Sequence, residues 1–459
     1  MRRRNAALPS PPLALPSQSD PMMPPTRVST GRMAALLFSL FALGSSGAAR
    51  ADEYKFSFGP AAGQGYTQVT SQDAYDASKG YGFLSTGGTP AIGGGGPVVS
   101  VFAVDVPEGN YDVTMVFGDP SKATSTTVKA EQRRLVFEKV DTAPGKFETR
   151  EFTVNVRSPK IITGGEVGID GREKGPPVVP DWDDHLSFEF NGKQPGVASI
   201  DVKPAPDAVT VFVAGDSTVT DQSAEPWCTW GQMLPRFFGP GVAIADYAQS
   251  GLTLSSFEHE RRLEKILSVI KKGDYLLIQF GHNDQKDKAP GSGPFTTYKT
   301  NLKRYVDAAR AKGGIPVIVT PMERRRWLGT VPQPTLADFA EAGRQVGSEN
   351  NVPVIDLNAM SLKFYAALGP EASTKAFVHY PVNTFPGQAK ELKDDTHHNA
   401  YGGYELARCV VEGIKSNVPA LVPFLRPDVQ PFDPSKPDSV DTFDVPASPF
   451  VVAAKPAGS

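Results

Sequence analysis

The chain has 459 residues, too long for one ordinary domain and suited to two. Hydrophobic residues at 40 % and charged residues at 21 % provide for a buried core and argue against wholesale disorder. A formal net charge of -3, with no long run of lysine and arginine, gives little support to nucleic-acid binding, which rests on neutralised phosphates.

Residues 1–51 read as targeting sequence. Arg27 and Arg32 precede an apolar stretch of roughly 10 residues that starts at Met33 and gives way to small residues ending in Ala49-Arg50-Ala51. That stretch is too short to span a bilayer, so a cleaved signal peptide is expected, with no stable membrane anchor afterwards and a secreted or periplasmic product. The Pro- and Ser-rich segment ahead of it fits no part of a signal peptide, which suggests a start at Met22, Met23 or Met33.

Residues 52–204 alternate in short segments broken by turns. Tyr111 to Phe117 alternates as a half-buried strand should. Val98 to Val104, Arg134 to Val140, Phe147 to Val156 and Leu186 to Phe190 are similar, with glycine-rich loops at Gly87-Gly88 and Gly93 to Gly96. The pattern predicts an antiparallel β-sandwich. Tyr66, Tyr81, Phe83 and Trp182 are candidates for stacking on sugar rings, although aromatics in sandwiches more often build the core.

Residues 205–426 change texture. Val209 to Ala214 is a continuous apolar run, as in a strand buried on both faces. Strands are also predicted at Val242 to Tyr247, Tyr275 to Phe280, Pro316 to Thr320 and Val354 to Leu357. Helices are predicted at Trp230 to Phe238, Ser255 to Lys271, Thr297 to Ala311, Thr335 to Glu349 and Ala400 to Ser416. This alternation implies an α/β domain, a three-layer flavodoxin-like fold on a parallel sheet, with ligands beyond the carboxyl ends of its strands. Residues 427–459 form a Pro- and Asp-rich tail expected to wrap the surface.

The chemistry gathers at those carboxyl ends. Gly215-Asp-Ser217 follows the first α/β strand, where a serine would project at the rim of the sheet. Alone it reads equally well as a turn and helix cap. Phe280-Gly-His-Asn-Asp284 ends the third strand, and Asp394-Asp-Thr-His-His398 stands directly before the last helix. Asp-x-x-His lets a carboxylate fix the tautomer of an imidazole nearby. Asp394 with His397 is the favoured pair, and Asp395 with His398 is the frame-shifted alternative. His282, His379 and His398 lack metal-site spacing, and His282 and His398 read as wall or hydrogen-bonding residues. His259 reads as solvated. Cys228 and Cys409 are the only cysteines, and separate buried thiols are slightly favoured over a disulfide.

These blocks resemble the SGNH hydrolase superfamily. Gly215-Asp-Ser-Thr218, Ala248-Gln-Ser-Gly251, Gly281-His-Asn-Asp284 and Asp394-Asp-Thr-His397 stand in the family's order. The stretches GDSTVTDQ, WGQMLPRFF, FGHNDQKD and DDTHHNAYGG are similar to rhamnogalacturonan acetylesterases over most of Ala205 to about Pro423. The sandwich resembles the galactose-binding-like domain that precedes some bacterial members. The resemblance implies Ser217 as nucleophile, His397 as base and Asp394 as its orienting carboxylate. It places the oxyanion hole at the Ser217 and Gly251 N–H groups and the Asn283 amide, with no metal or cofactor. The implied partner is an acetylated plant cell-wall polysaccharide, and the implied activity is deacetylation of pectic rhamnogalacturonan. An acetylxylan or general short-chain esterase, or a polysaccharide-binding protein with an inactive esterase domain, are the alternatives. His398 departs from the family, where phenylalanine commonly follows the catalytic histidine.

Overall fold

The computed structural model describes residues 53–59, 63–85, 99–171, 173, 181–450 and 455–456. The expected signal peptide and the two glycine-rich loops at 87–88 and 93–96 lie outside the described residues.

The first half is built from two five-stranded sheets. One runs Thr67–Gln68, Tyr54–Ser57, Val197–Pro204, Gly109–Phe117, Glu148–Val156. The other runs Tyr81–Leu84, Ser100–Asp105, His185–Gln194, Thr124–Ala130, Arg134–Thr142. All neighbours are antiparallel except Thr67–Gln68 beside Tyr54–Ser57. Tyr111, Val113, Met115 and Phe117 alternate inward and meet Phe152, Val154 and Val156 together with Phe102, Val128 and Phe188 of the other sheet. The rings lock edge to face, Phe137 against Phe152 at 5.5 Å and 90°. Such pairs add to burial because each positive ring edge meets a negative face. Phe83 is buried in this interior and Trp182 is buried against Tyr247 of the second half, so neither offers a face to a sugar. Tyr66 is half-buried and lines an open hollow of about 580 Å³ with Phe147 and Gln194, while half-buried Tyr81 packs on Phe56.

The second half has a five-stranded parallel sheet in the order Val242–Asp246, Val209–Gly215, Tyr275–Gln279, Ile315–Val319, Val354–Ile355. Its first strand explains the continuous apolar run. Val211 and Val213 face one core with Trp230, Leu406 and Val410, and Phe212 and Ala214 face the opposite core with Leu254, Ile266 and Val306. Helices therefore cover both faces, giving three layers.

Three expectations need correction. The helix at 255–271 is two, Leu254–His259 and Arg262–Val269, because Arg261 turns left-handed (φ 61°) to bind Gly164 O and Glu264. A helix at Leu357–Ala372, kinked at Gly369, was not expected. Nor was the hairpin of Phe377–Tyr380 with Leu392–His398, which carries the Asp-Asp-Thr-His-His run on a strand. Both cysteines are free and buried.

Residues 51–459 form one compact unit. The tail runs over the α/β part, where Val429, Phe432 and Phe443 pack on its core and Tyr401 donates to Asp438 O. Among the described residues no helix is long and apolar enough to cross a membrane.

Candidate active site

The order of strands puts the first α/β strand between the second and third, so the loops after all three meet beyond one edge of the sheet. Ser217 leaves the first strand in a tight turn. The Asp216 carboxylate accepts from the Thr218 N–H (2.9 Å) and hydroxyl (2.7 Å), and the Asp216 carbonyl accepts from the N–H groups of Val219 and Thr220. Gln222 Nε2 donates to the Ser217 carbonyl at 2.7 Å, which fixes the peptide of the serine itself.

His397 arrives from 180 residues further along, with Nε2 2.8 Å from Ser217 Oγ. Its strand explains how. Phe377 pairs with His398 but Val378 pairs with Asp394, so Asp395, Thr396 and His397 bulge out of the ladder. Asp394 holds the bulge closed. Its Oδ1 accepts from the Thr396 and His397 N–H groups at 2.8 and 3.0 Å, and its Oδ2 lies 2.9 Å from His397 Nδ1. Burial alone would raise the Asp394 pKa, but His397 and the two N–H groups outweigh it and hold the carboxyl well below its usual range. Trp227 closes the other side of the imidazole, edge to face at 5.8 Å.

Gly251 and Asn283 lie on the loops that follow the second and third strands. Gly251 is left-handed (φ 88°), a conformation a side chain would strain. Asn283 Nδ2 donates to Leu252 O at 3.1 Å, and its Oδ1 accepts from Lys286 Nζ at 3.1 Å. The carbonyl of the amide is thus taken by the lysine, which turns its N–H₂ group toward the Gly251 loop.

The frame-shifted pair does not form. Asp395 is exposed and receives Arg325 Nη1 and His379 Nε2, both at 2.9 Å. His398 is buried, stacked on Tyr365 with Nε2 2.9 Å from its hydroxyl. Burial, with repulsion from His397 and His282, pushes its pKa down to about 3. His282 is also buried, 3.6 Å from Asp216, and His259 is exposed. Among the described residues no three His, Cys, Asp or Glu side chains converge as a metal site.

Sequence reasoning missed Arg324, Gln222 and Trp227. Arg324 donates to Thr396 Oγ1 (3.2 Å), Gln285 Oε1 (2.9 Å) and His282 O (3.0 Å), tying the His397 bulge to the Asn283 loop. Its run, Glu323-Arg-Arg-Arg326, looks like a solvated charge cluster, yet Glu323 is fully buried and accepts from Leu336 N and Asn358 Nδ2.

Residues 213–402 match the GDSL-like lipase/acylhydrolase family. Rhamnogalacturonan acetylesterase RhgT of Bacillus subtilis is 41 % identical over 211 residues, which are 45 % of this chain and 90 % of that protein. The probable rhamnogalacturonan acetylesterase YesY of the same organism is 34 % identical over 208 residues, 45 % of this chain and 92 % of that protein. The uncharacterized esterase YxiM of B. subtilis is 25 % identical over 402 residues, covering 80 % of this chain and 92 % of its own length. An ester hydrolase similar to rhamnogalacturonan acetylesterases, the chain belongs to the GDSL-like lipase/acylhydrolase family.

Proposed function

We propose that this enzyme is an exported carbohydrate acetylesterase that removes O-acetyl groups from pectic rhamnogalacturonan, with Ser217, His397 and Asp394 as its triad. The observation that carries the chemistry is the unbroken line from Ser217 Oγ to His397 Nε2 (2.8 Å) and from His397 Nδ1 to Asp394 (2.9 Å). A serine hydroxyl is a weak nucleophile, and an imidazole at hydrogen-bond distance, held in one tautomer by a buried carboxylate, is what activates it.

As Ser217 Oγ bonds to the acetyl carbon, His397 takes the hydroxyl proton and the carbonyl oxygen gains negative charge. The Ser217 and Gly251 N–H groups and the Asn283 amide are assigned to that oxyanion. His397 then delivers its proton to the departing sugar oxygen, and the C–O bond to the sugar breaks. Water attacks the acetyl-enzyme with His397 again as base, and acetate leaves. The identity to RhgT and YesY supports the pectic substrate, and the basic flank, apolar stretch and Ala49-Arg50-Ala51 support export.

The test is acetate release by the purified protein from acetylated rhamnogalacturonan and from acetylated xylan, with Ser217→Ala as blank. Release mainly from the pectic polymer is expected. Release from xylan alone would keep the triad and discard the pectic assignment.

A further inference from the structure

Among the segments by which the sandwich reaches into the catalytic half is a tight turn, Glu131–Arg134, between two strands of one sheet. Glu131 (φ 52°) and Arg133 (φ 64°) are both left-handed there, although neither is glycine. Such backbone persists only where surrounding contacts over-determine it. The contacts are present, and they lead to the active site.

Arg133 is buried, and its Nη1 donates to two main-chain carbonyls, Gln222 O at 2.9 Å and Trp227 O at 3.1 Å. Its Nη2 pairs with Glu225 at 2.5 Å, between those two points in the chain. Beside it, Gln232 Nε2 joins Gln132 O (2.7 Å) to the same Gln222 O (2.9 Å). The two residues gripped by Arg133 are those that touch the triad: Gln222 donates to the Ser217 carbonyl, and the Trp227 ring packs on His397. One guanidinium therefore fixes the loop that positions the nucleophile at one end and the wall of the base at the other.

We infer that Arg133 is a positioning residue of the esterase, so that the β-sandwich completes the active site rather than serving only as an appended module. The turn lies outside residues 213–402, the segment that matches the GDSL-like family. The inference rests on the triad reading. Its chemistry is geometric: misplacing a nucleophile and its base by a fraction of an ångström lowers the rate of attack without altering what binds the sugar.

The experiment uses the full chain with Arg133→Met/Glu225→Gln, which removes the pair without stranding a buried charge, and Arg133→Lys, which keeps the charge but loses the two-carbonyl fork. Kinetics on an aryl acetate, the rate of Ser217 labelling by a fluorophosphonate and thermal unfolding are measured together. The expected result is a kcat lowered on the order of 10- to 100-fold, KM within about twofold, and labelling slowed in parallel. Arg133→Lys should fall between the double variant and the wild type, and it carries the test if the double variant does not fold. Folded variants with wild-type kcat and labelling would overturn the inference. Wild-type enzyme that labels at Ser217 and hydrolyses the aryl acetate but leaves the polysaccharide intact would discard the substrate and leave the inference supported by the same variants. Wild-type enzyme that neither labels nor hydrolyses would overturn both.

Discussion

Asp394 holds His397 at two places, through Oδ2 at the ring Nδ1 (2.9 Å) and through Oδ1 at the main-chain N–H (3.0 Å). The first contact sets the tautomer and the second sets the bulge that presents the ring. Asp394→Asn keeps the shape of the group but places an amide where Nδ1–H needs an acceptor. The expected result is a kcat lower by roughly 10⁴-fold with KM little changed, measured on an aryl acetate. A loss confined to KM would contradict the assignment.

Asn283 is held by Lys286 and Leu252 with its amide toward the Gly251 loop. If that amide meets the oxyanion, Asn283→Ala lowers kcat by about 10²- to 10³-fold while the denaturation midpoint moves little. A variant that loses stability and retains kcat would make Asn283 a structural residue only.

His398 makes the enzyme acid-sensitive. Its pKa is about 3 when folded, against an ordinary 6.5. Between those values the unfolded chain binds the extra proton, so stability rises with pH across the window and falls as pH drops through it. The slope from this group is at most about 1.4 kcal/mol per pH unit. His398→Phe forfeits the Tyr365 contact but removes that titration. The difference in unfolding free energy between the two proteins should therefore shrink as pH is lowered from 6.5 toward 4. A difference independent of pH would contradict this.

Arg134 lies between two buried carboxylates, 2.7 Å from Asp221 and 3.6 Å from Asp181, with Arg157 completing the cluster. Arg134→Met leaves two carboxylates for one guanidinium, and a loss of about 3–5 kcal/mol is expected in guanidinium denaturation. Adding Asp221→Leu should restore much of it, since the unmatched charge is then gone. No recovery would show that Arg134 stabilises chiefly by packing.

The apolar strands were legible because burial on both faces leaves no polar positions, as Val211 and Phe212 pointing to opposite cores illustrate. Asp394 and His397 were legible because they are neighbours in sequence. Ser217 became legible only through resemblance to a family, since no local pattern joins residues 180 apart. The hairpin carrying His397 was hidden because Lys393-Asp-Asp-Thr396 has the polarity of a loop, and its strand is held by pairing with Phe377–Tyr380. Arg133, Arg134 and Arg324 were hidden for a related reason. Charged residues read as solvated unless their partners are known, and these partners come from distant segments.

The most direct test of the account is a rapid-mixing measurement of phenolate release from an aryl acetate by wild type and by Ser217→Ala. An initial burst of about one phenolate per chain is expected in the wild type, wherever deacetylation is the slower step. Turnover by Ser217→Ala is expected to be reduced on the order of 10³-fold or more. Undiminished turnover by Ser217→Ala would contradict the triad.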